Sequence, residues 1–420
     1  MKVRKAYRFR AYPTPEQVVQ LSMTLGCCRL VYNLTLEQLR LFGRKGRSLN
    51  YNTGANELPA LKKAFPFFAD APSQCLQQAL RDLEDAFQRF FQKVAGYPKP
   101  RRKFVHESCR FPQGFTIERH RLKLPKFGWL KMAAHRKLKG RPTSVTVSRE
   151  GDRWYASIAC EVEMPNPQVR EISEVGVDLN VITGAVTSDG QILPMPRTSP
   201  EAMRQLARLQ KSLARKKKGS RNRLKARRAL ARFHAKLARR RRNAAHLISH
   251  QIAQQHTHIA FEDLRLKNMT ASAKGTLAEP GRNVAAKAGL NRSILDVSLG
   301  QIRSMTTYKT AWAGGVCVEV DARHTSQRCS ECDGHPQDSQ ITEHLQHGRV
   351  TRDRFVCPLC GYEAHADINA ARTILALGCH RWAASTTTAG GAPVAACGGL
   401  RSKRAREAGS NDQGIKRLAA

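Results

Sequence analysis

Two sets of residues in this chain have types and spacings that could do chemistry. The first is Cys329-x-x-Cys332 followed by Cys357-x-x-Cys360, with Pro358 and Gly361 in and beside the second pair. Each pair places two thiolates on one tight turn, and two such turns supply the four tetrahedral sulfur ligands that Zn²⁺ prefers. Both pairs fall in one short insert, which makes a redox-active C-x-x-C the weaker reading. Zinc held this way is expected to be structural, folding the insert and presenting a loop to nucleic acid.

The second set is acidic. Asp178 lies in the short apolar run Val175-Gly-Val-Asp-Leu179, Glu262 ends the strand-like run Ile259-Ala-Phe-Glu-Asp263, and Asp367 opens a helical stretch after the cysteines. A single Asp after an apolar strand is most often a turn residue or a helix cap. Together the three meet a stricter requirement: hydrolysis of a phosphodiester by two Mg²⁺ ions needs hard oxygen ligands converging from separate elements. One ion would activate the attacking water and the other would stabilise the leaving oxygen. Asp178, Glu262 and Asp367 are therefore the candidate catalytic residues and magnesium ligands. Acids at the ends of buried strands repel one another, and bound metal compensates them. His365, two residues before Asp367, could touch phosphate or metal, but a packed or solvent-facing histidine is the favoured reading. Asn369 and Arg372 share a helix with Asp367 and are candidates to face the substrate.

The chain around these residues is strongly basic. Its 420 residues carry 72 Lys plus Arg against 33 Asp plus Glu, a net charge of +39. Such a field attracts polyanions and points to nucleic acid as partner, leaving the activity open. From Met203 to Arg242 there are eighteen Lys or Arg and no acid. A solvated mixed-charge face does not look like that; phosphate contact does. Arg215, Lys216, Lys217, Lys218 and Arg221, and the Pro-rich basic segment with Arg101, Arg102 and Lys103, are the candidate nucleic-acid contacts. The N-terminal MKVRKAYRFRAYPTPEQ lacks the apolar core of a secretory signal. No run of about 18 apolar residues suggests a membrane span. The other eight cysteines are scattered, as in a reducing compartment, so a cytoplasmic protein is expected.

Positioning such residues requires several elements. Val3 to Ala11 reads as a strand, and Thr14-Pro-Glu-Gln17 opens a helical region with N-cap chemistry that extends to about Ala95. Gly96 to Phe104 breaks it. Strands follow at Arg121-Leu-Lys-Leu124, Val145-Thr-Val147 and Trp154 to Cys160. A third region opens with Val175–Leu179, Gly184–Ser188 and Gln191–Leu193, the last two joined at the Asp189-Gly190 turn, which starts an RNase H-like sheet. Pro200 to Ala253 reads as two basic helices joined near Lys216, Ile294 to Ala313 as one helix, Val316–Val320 as a strand and Ala366–Leu377 as a helix. Beyond Ala383 the composition is that of a disordered basic tail.

At these residues the chain resembles the TnpB family of insertion-sequence proteins, related to compact type V CRISPR effectors. The likeness runs over almost the whole length: FRAYPTPEQ, Gly26 with Arg29-Leu-Val-Tyr-Asn33, Arg121 to Lys126, Gly176-Val-Asp-Leu-Asn180, Thr187-Ser-Asp-Gly190, Phe261-Glu-Asp-Leu264, Lys267-Asn-Met269, Gly289 to Ser293, Tyr308-Lys309, Thr325-Ser-Gln327 and His365 to Ala371. The resemblance implies an RNA-guided, Mg²⁺-dependent DNA endonuclease with a structural Zn²⁺. Its implied partners are a guide RNA and a double-stranded DNA target with a short adjacent motif, and no membrane. It also maps the family's catalytic Asp, Glu and Asp onto Asp178, Glu262 and Asp367. The implied fold class is α+β and multidomain: a small β-barrel-like wedge domain, a helical recognition domain, and an RNase H-like (RuvC) α/β nuclease domain with an inserted zinc ribbon. In this sequence the wedge would occupy 1–13 and 104–170, the helical domain 14–103, the nuclease 171–322 and 363–382, the ribbon 323–362 and the tail 383–420. The long, His-rich linker within the ribbon (His335, His344, His347) departs from the family pattern. A guide-dependent repressor without cleavage and a strand-transfer transposase are the alternative readings.

Overall fold

The computed structural model describes residues 1–42, 51–105, 107–165, 167, 170–276, 278–331 and 348–387. These pack as two units, one of 1–165 with 205–235 and one of 166–204 with 236 onward.

The first unit is built on β1 (Lys2–Tyr12), whose residues alternate so that Tyr7, Phe9 and Ala11 are buried while Arg8 and Arg10 face outward. Around it lie β2 (Glu107–Phe111), β3 (Thr116–Ile117), β4 (Arg121–Leu124), β5 (Gly128–Ala133), β6 (Arg141–Glu150) and β7 (Arg153–Glu163). The antiparallel order is β2-β6-β7-β1-β5-β4-β3, with Phe9 opposite Ala156 and Val145 opposite Ile158. The short strands β2, β3 and β5 carry no turn dipeptide or long alternation, so the sequence reading did not include them. β2 and β3 are the edges of the sheet, which is not a hydrogen-bonded closed barrel among the described residues.

Helix α1 (Pro15–Phe42) starts where Thr14-Pro-Glu-Gln placed it. Thr14 and Gln17 cap each other, side chain to backbone N–H in both directions, at 3.1 and 3.3 Å, with Pro15 as the first helical residue. With α2 (Tyr51–Ala64) and α3 (Ser73–Phe91) it covers the apolar sheet face. Leu21, Leu25, Leu76 and Leu80 share one core with Phe111, Val145 and Ile158. Segments 14–103 and 104–170, expected as separate domains, thus have a common interior, because a sheet with one apolar face must bury it against a second layer.

The second unit holds β8 (Glu174–Asn180), β9 (Gly184–Thr187), β10 (Ile192–Leu193), β11 (His258–Glu262) and β12 (Val316–Val320), in the order β10-β9-β8-β11-β12. β8, β9 and β10 pair antiparallel, and β8, β11 and β12 parallel. Two basic helices, α4 (Pro200–Ala214) and α5 (Arg221–Gln255), follow β10, and the joined segment 205–235, expected in the nuclease, belongs to the first unit. There Arg232 pairs with Asp152 at 2.7 Å and Arg227 stacks over Phe104. Ala245, Ile248 and Ile252 of α5 pack on Val175, Val177, Ile259 and Phe261.

After the short α6 (Leu266–Met269), the single helix expected over Ile294–Ala313 is replaced by α7 (Val284–Val297) and α8 (Leu299–Trp312). They meet at Ser298, which is left-handed with φ 56°. Two residues apart on one helix would point to opposite sides; the break lets both Val297 and Leu299 enter the core. Helix α9 (Ala366–Thr387) runs ten residues beyond Leu377 and past Ala383, where the tail was expected to begin; residues 388–420 lie outside the described residues.

Candidate active site and metal centre

Strand geometry puts the acids on one face. Because side chains alternate along β8, Val175, Val177 and Leu179 enter the α5 core, while Gly176, Asp178 and Asn180 face the other way. On β11, Ile259 and Phe261 likewise face α5, leaving Ala260 and Glu262 on the Asp178 side. Helix α9 covers that side closely. A Cβ on Gly176 would lie 2.0 Å from the Ala371 carbonyl oxygen, and one on Gly378 would lie 2.5 Å from the Ala260 Cβ, so only glycine admits the helix at this depth. The approach carries Asp367, in the first turn of α9, to the strand acids.

Asp178, Glu262 and Asp367 are each 8 % exposed. The Asn180 amide nitrogen donates to Asp178 Oδ2 at 2.9 Å and to Asp367 Oδ2 at 3.0 Å. Thr325 donates its hydroxyl to Glu262 Oε1. Arg349 donates to Asp367 Oδ1 at 3.3 Å. The Asp178 carboxyl is pushed up to about 7, first by burial and also by the neighbouring Glu262 and Asp367, against the lowering effects of the Asn180 hydrogen bond and Arg349. Burial also raises Glu262, opposed by the Thr325 hydroxyl. Converging, desolvated carboxylates with, among the described residues, one guanidinium among their donors form a hard-oxygen set that fits Mg²⁺.

The cysteines also converge. The Sγ atoms of Cys329, Cys357 and Cys360 lie within 4.8 Å of one another. Cys357 and Cys360 sit on a turn closed by the Gly361 N–H to the Cys357 carbonyl at 3.0 Å, between β13 (Arg354–Val356) and β14 (Glu363–His365). The thiolate chemistry suits Zn²⁺. Cys332, the fourth expected ligand, lies outside the described residues, as do His335, His344 and His347.

Comparison with known proteins shows the family. A family model described as "Probable transposase" matches residues 157–273, and a "Cas12f1-like, TNB domain" matches 300–374. InsQ of Escherichia coli (strain K12), a candidate RNA-guided DNA endonuclease, is 37 % identical over 90 % of this chain and 93 % of its own length. A candidate RNA-guided DNA endonuclease of Streptomyces pristinaespiralis is 33 % identical over 90 % of both chains. The chain belongs to the TnpB family.

A third model, described as "Helix-turn-helix domain", matches 1–40 of this TnpB-family chain, where the structure has a strand and one long helix. The solved Cas12f1–sgRNA–target DNA complex overlays with a TM-score of 0.47 at 12 % identity, over 89 % of this chain and 98 % of that one.

The other sequence candidates divide. Arg215, Lys216, Lys217, Lys218 and Arg221 stand exposed at the junction of α4 and α5, and Arg102 and Lys103 are exposed beyond α3. Arg101 is committed internally: its guanidinium meets Asp82 at 2.9 Å and stacks over Tyr32. Asn369 is fully buried and turns from the acids to the insert, donating to the Arg328 carbonyl at 2.7 Å and accepting from the Ser330 N–H at 3.0 Å. Arg372 bonds the Tyr362 hydroxyl at 2.6 Å. His365 Nδ1 accepts from the Asp367 N–H at 3.2 Å, a packing role at the start of the helix. Sequence reasoning assigned no role to Asn180, Thr325 or Arg349. Asn180 had a geometric signal, since two residues from Asp178 on a strand it had to share its face, and Thr325 lay within a motif of the family resemblance.

Proposed function

We propose that this TnpB-family chain is an RNA-guided DNA endonuclease that hydrolyses target phosphodiesters at Asp178, Glu262 and Asp367. One observation carries the reading: three carboxylates, buried from separate elements, converge on one face of the sheet in a chain of net charge +39. Such a cluster is costly by itself and is expected where cations are bound. InsQ and its Streptomyces counterpart, similar along nearly their whole length, are named for the same activity.

Asp178, Glu262 and Asp367 would hold Mg²⁺, which supplies an acidified water for attack on phosphorus and positive charge for the departing oxygen. Asp178 and Glu262 come from adjacent parallel strands, so their relative position is set by the ladder that pairs Ala260 with Gly176. Arg303 reinforces it, donating to the Glu262 carbonyl at 3.4 Å. Asp367 arrives on α9, and Arg349 beside it offers a cation to a phosphate oxygen. Cys329, Cys332, Cys357 and Cys360 would hold a structural Zn²⁺ that folds the insert. Sequence specificity would reside in base pairing with the guide, the protein reading backbone and shape through its basic segments.

The test is to purify the protein from cells carrying its native flanking DNA, sequence the bound RNA, and assay Mg²⁺-dependent cutting of DNA matching the end of that RNA. Guided cutting that disappears in Asp178→Ala, with RNA and DNA affinity retained, is the expected result. Cutting that persists in that variant would refute the site. The "Probable transposase" description favours strand transfer as a second reading, which would give joined DNA products in the same assay.

A further inference from the structure

Asn180 is the last residue of β8 and is saturated with hydrogen bonds on both sides of its amide. Its nitrogen donates to Asp178 Oδ2 at 2.9 Å and to Asp367 Oδ2 at 3.0 Å. Its oxygen accepts from the Ile182 N–H at 3.0 Å, the Thr183 N–H at 2.8 Å and the Thr183 hydroxyl at 2.6 Å. The acceptor side is a familiar turn device, since Asn at a strand end often takes up the next N–H groups. The donor side is not explained by the turn. It spans two carboxylates, both 8 % exposed, one of them 187 residues away in the chain.

We infer that Asn180 is a positioning residue, a neutral fork that sets the spacing of Asp178 and Asp367 before a cation arrives. The choice of side chain follows from electrostatics. Two desolvated carboxylates facing each other repel once both are ionised, and a donor between them favours the charged form that a cation needs. Lysine or arginine would do so but would carry a full charge that competes with the metal. An amide has two N–H groups, which can serve two acceptors, and carries no net charge. The oxygen side is fixed to the 182–183 turn, so the amide cannot flip without losing three bonds and the fork holds one orientation. Hydrogen bonds to charged groups are among the stronger ones in proteins, so loss of the donor is expected to slow the chemical step on the order of tenfold to a hundredfold.

This inference rests on the proposed nuclease site, and two substitutions with two readouts separate it both from that proposal and from a purely structural role. Asn180→Asp keeps the size and the acceptor toward the turn but removes the donor; Asn180→Ala removes both. In the purified protein–RNA complex, both variants are expected to cut matching DNA at least tenfold more slowly in single turnover at saturating Mg²⁺, with RNA and target binding unchanged. The second readout is thermal melting of the protein with and without Mg²⁺, which needs no cutting. Asn180→Asp is expected to melt below wild type without the metal, because a third carboxylate joins the pair, and to recover when Mg²⁺ is added. If Asn180→Asp matches wild type in cutting and in metal-free melting, the acceptor alone matters and Asn180 is only a turn residue. If the wild type itself does not cut, the nuclease proposal fails while the melting comparison still decides for or against the fork.

Discussion

Thr325 and Glu262 are 63 residues apart in the chain, and the threonine hydroxyl donates to the Glu262 carboxylate inside the protein, where Thr325 is 2 % exposed. Thr325 stands four residues before Cys329, so the segment entering the cysteine insert also completes the acid site. Arg349, on the other side of the insert, does the same for Asp367.

Thr325→Val preserves volume and deletes the donor. The variant is expected to fold and bind RNA normally while cutting about tenfold more slowly or less, since a buried carboxylate loses its hydrogen bond, and Thr325→Ser should restore most of the rate. Single-turnover cutting assays check this. Equal rates for wild type and Thr325→Val would remove the hydroxyl from the site.

Removing thiolates should act on the insert. Cys329→Ser combined with Cys357→Ser is expected to abolish bound zinc, measured by elemental mass spectrometry, and to loosen the insert that the Asn369 side chain anchors through Arg328 and Ser330. Full zinc content in the double variant would show that the three sulfurs do not form the site.

His256 gives a pH dependence with a definite sign. It is 8 % exposed, its Nδ1 lies 3.0 Å from the Ser173 hydroxyl, and burial lowers its pKa from the ordinary 6.5, only partly opposed by Asp189. Burial lowers neighbouring His258 as well. A histidine held neutral in the fold takes up its proton more readily when unfolded, so stability is lost as pH falls through 6.5. His256 and His258 should therefore pull melting midpoints down between about pH 7 and about pH 5.5, against the gain from Asp178, whose raised carboxyl takes up its proton in the fold over the same range. His256→Gln should thus melt higher relative to wild type at the acid end of this range than at about pH 7. An unchanged slope in the variant would assign the loss to other groups.

The exposed cluster Lys216, Lys217 and Lys218 should contribute to RNA or DNA affinity without touching the chemistry. Changing all three to Gln is expected to weaken binding and to reduce the slope of log affinity against log salt by roughly one per lost phosphate contact. Filter binding over a salt series measures it. An unchanged slope would show that this junction meets solvent only.

Much of this site is legible in the linear chain, for a local reason. Period-two alternation in Val175–Leu179 and Ile259–Phe261 marks strands, and it leaves Asp178 and Glu262 on the side those apolar residues do not use. The C-x-x-C pairs and the acid-free Met203–Arg242 stretch are likewise properties of neighbours along the backbone. TnpB-family membership follows from identities spread over the whole length.

What tertiary packing alone decided depends on residues far apart. Nothing near Asn180 in sequence announces that its amide meets Asp367; the meeting requires α9 to lie against Gly176 at a depth only a residue without Cβ permits. The break at Ser298 and the shared core of α1, α3 and the antiparallel sheet are decided in the same way, by which apolar side chains must be buried together. Residue types and local periodicity determined the candidate acids, the thiolates and the partner class. Convergence of those acids, and the neutral and cationic donors that hold them, came only from the packing of helices on the sheet, because a hydrogen bond across 187 residues has no local pattern to betray it.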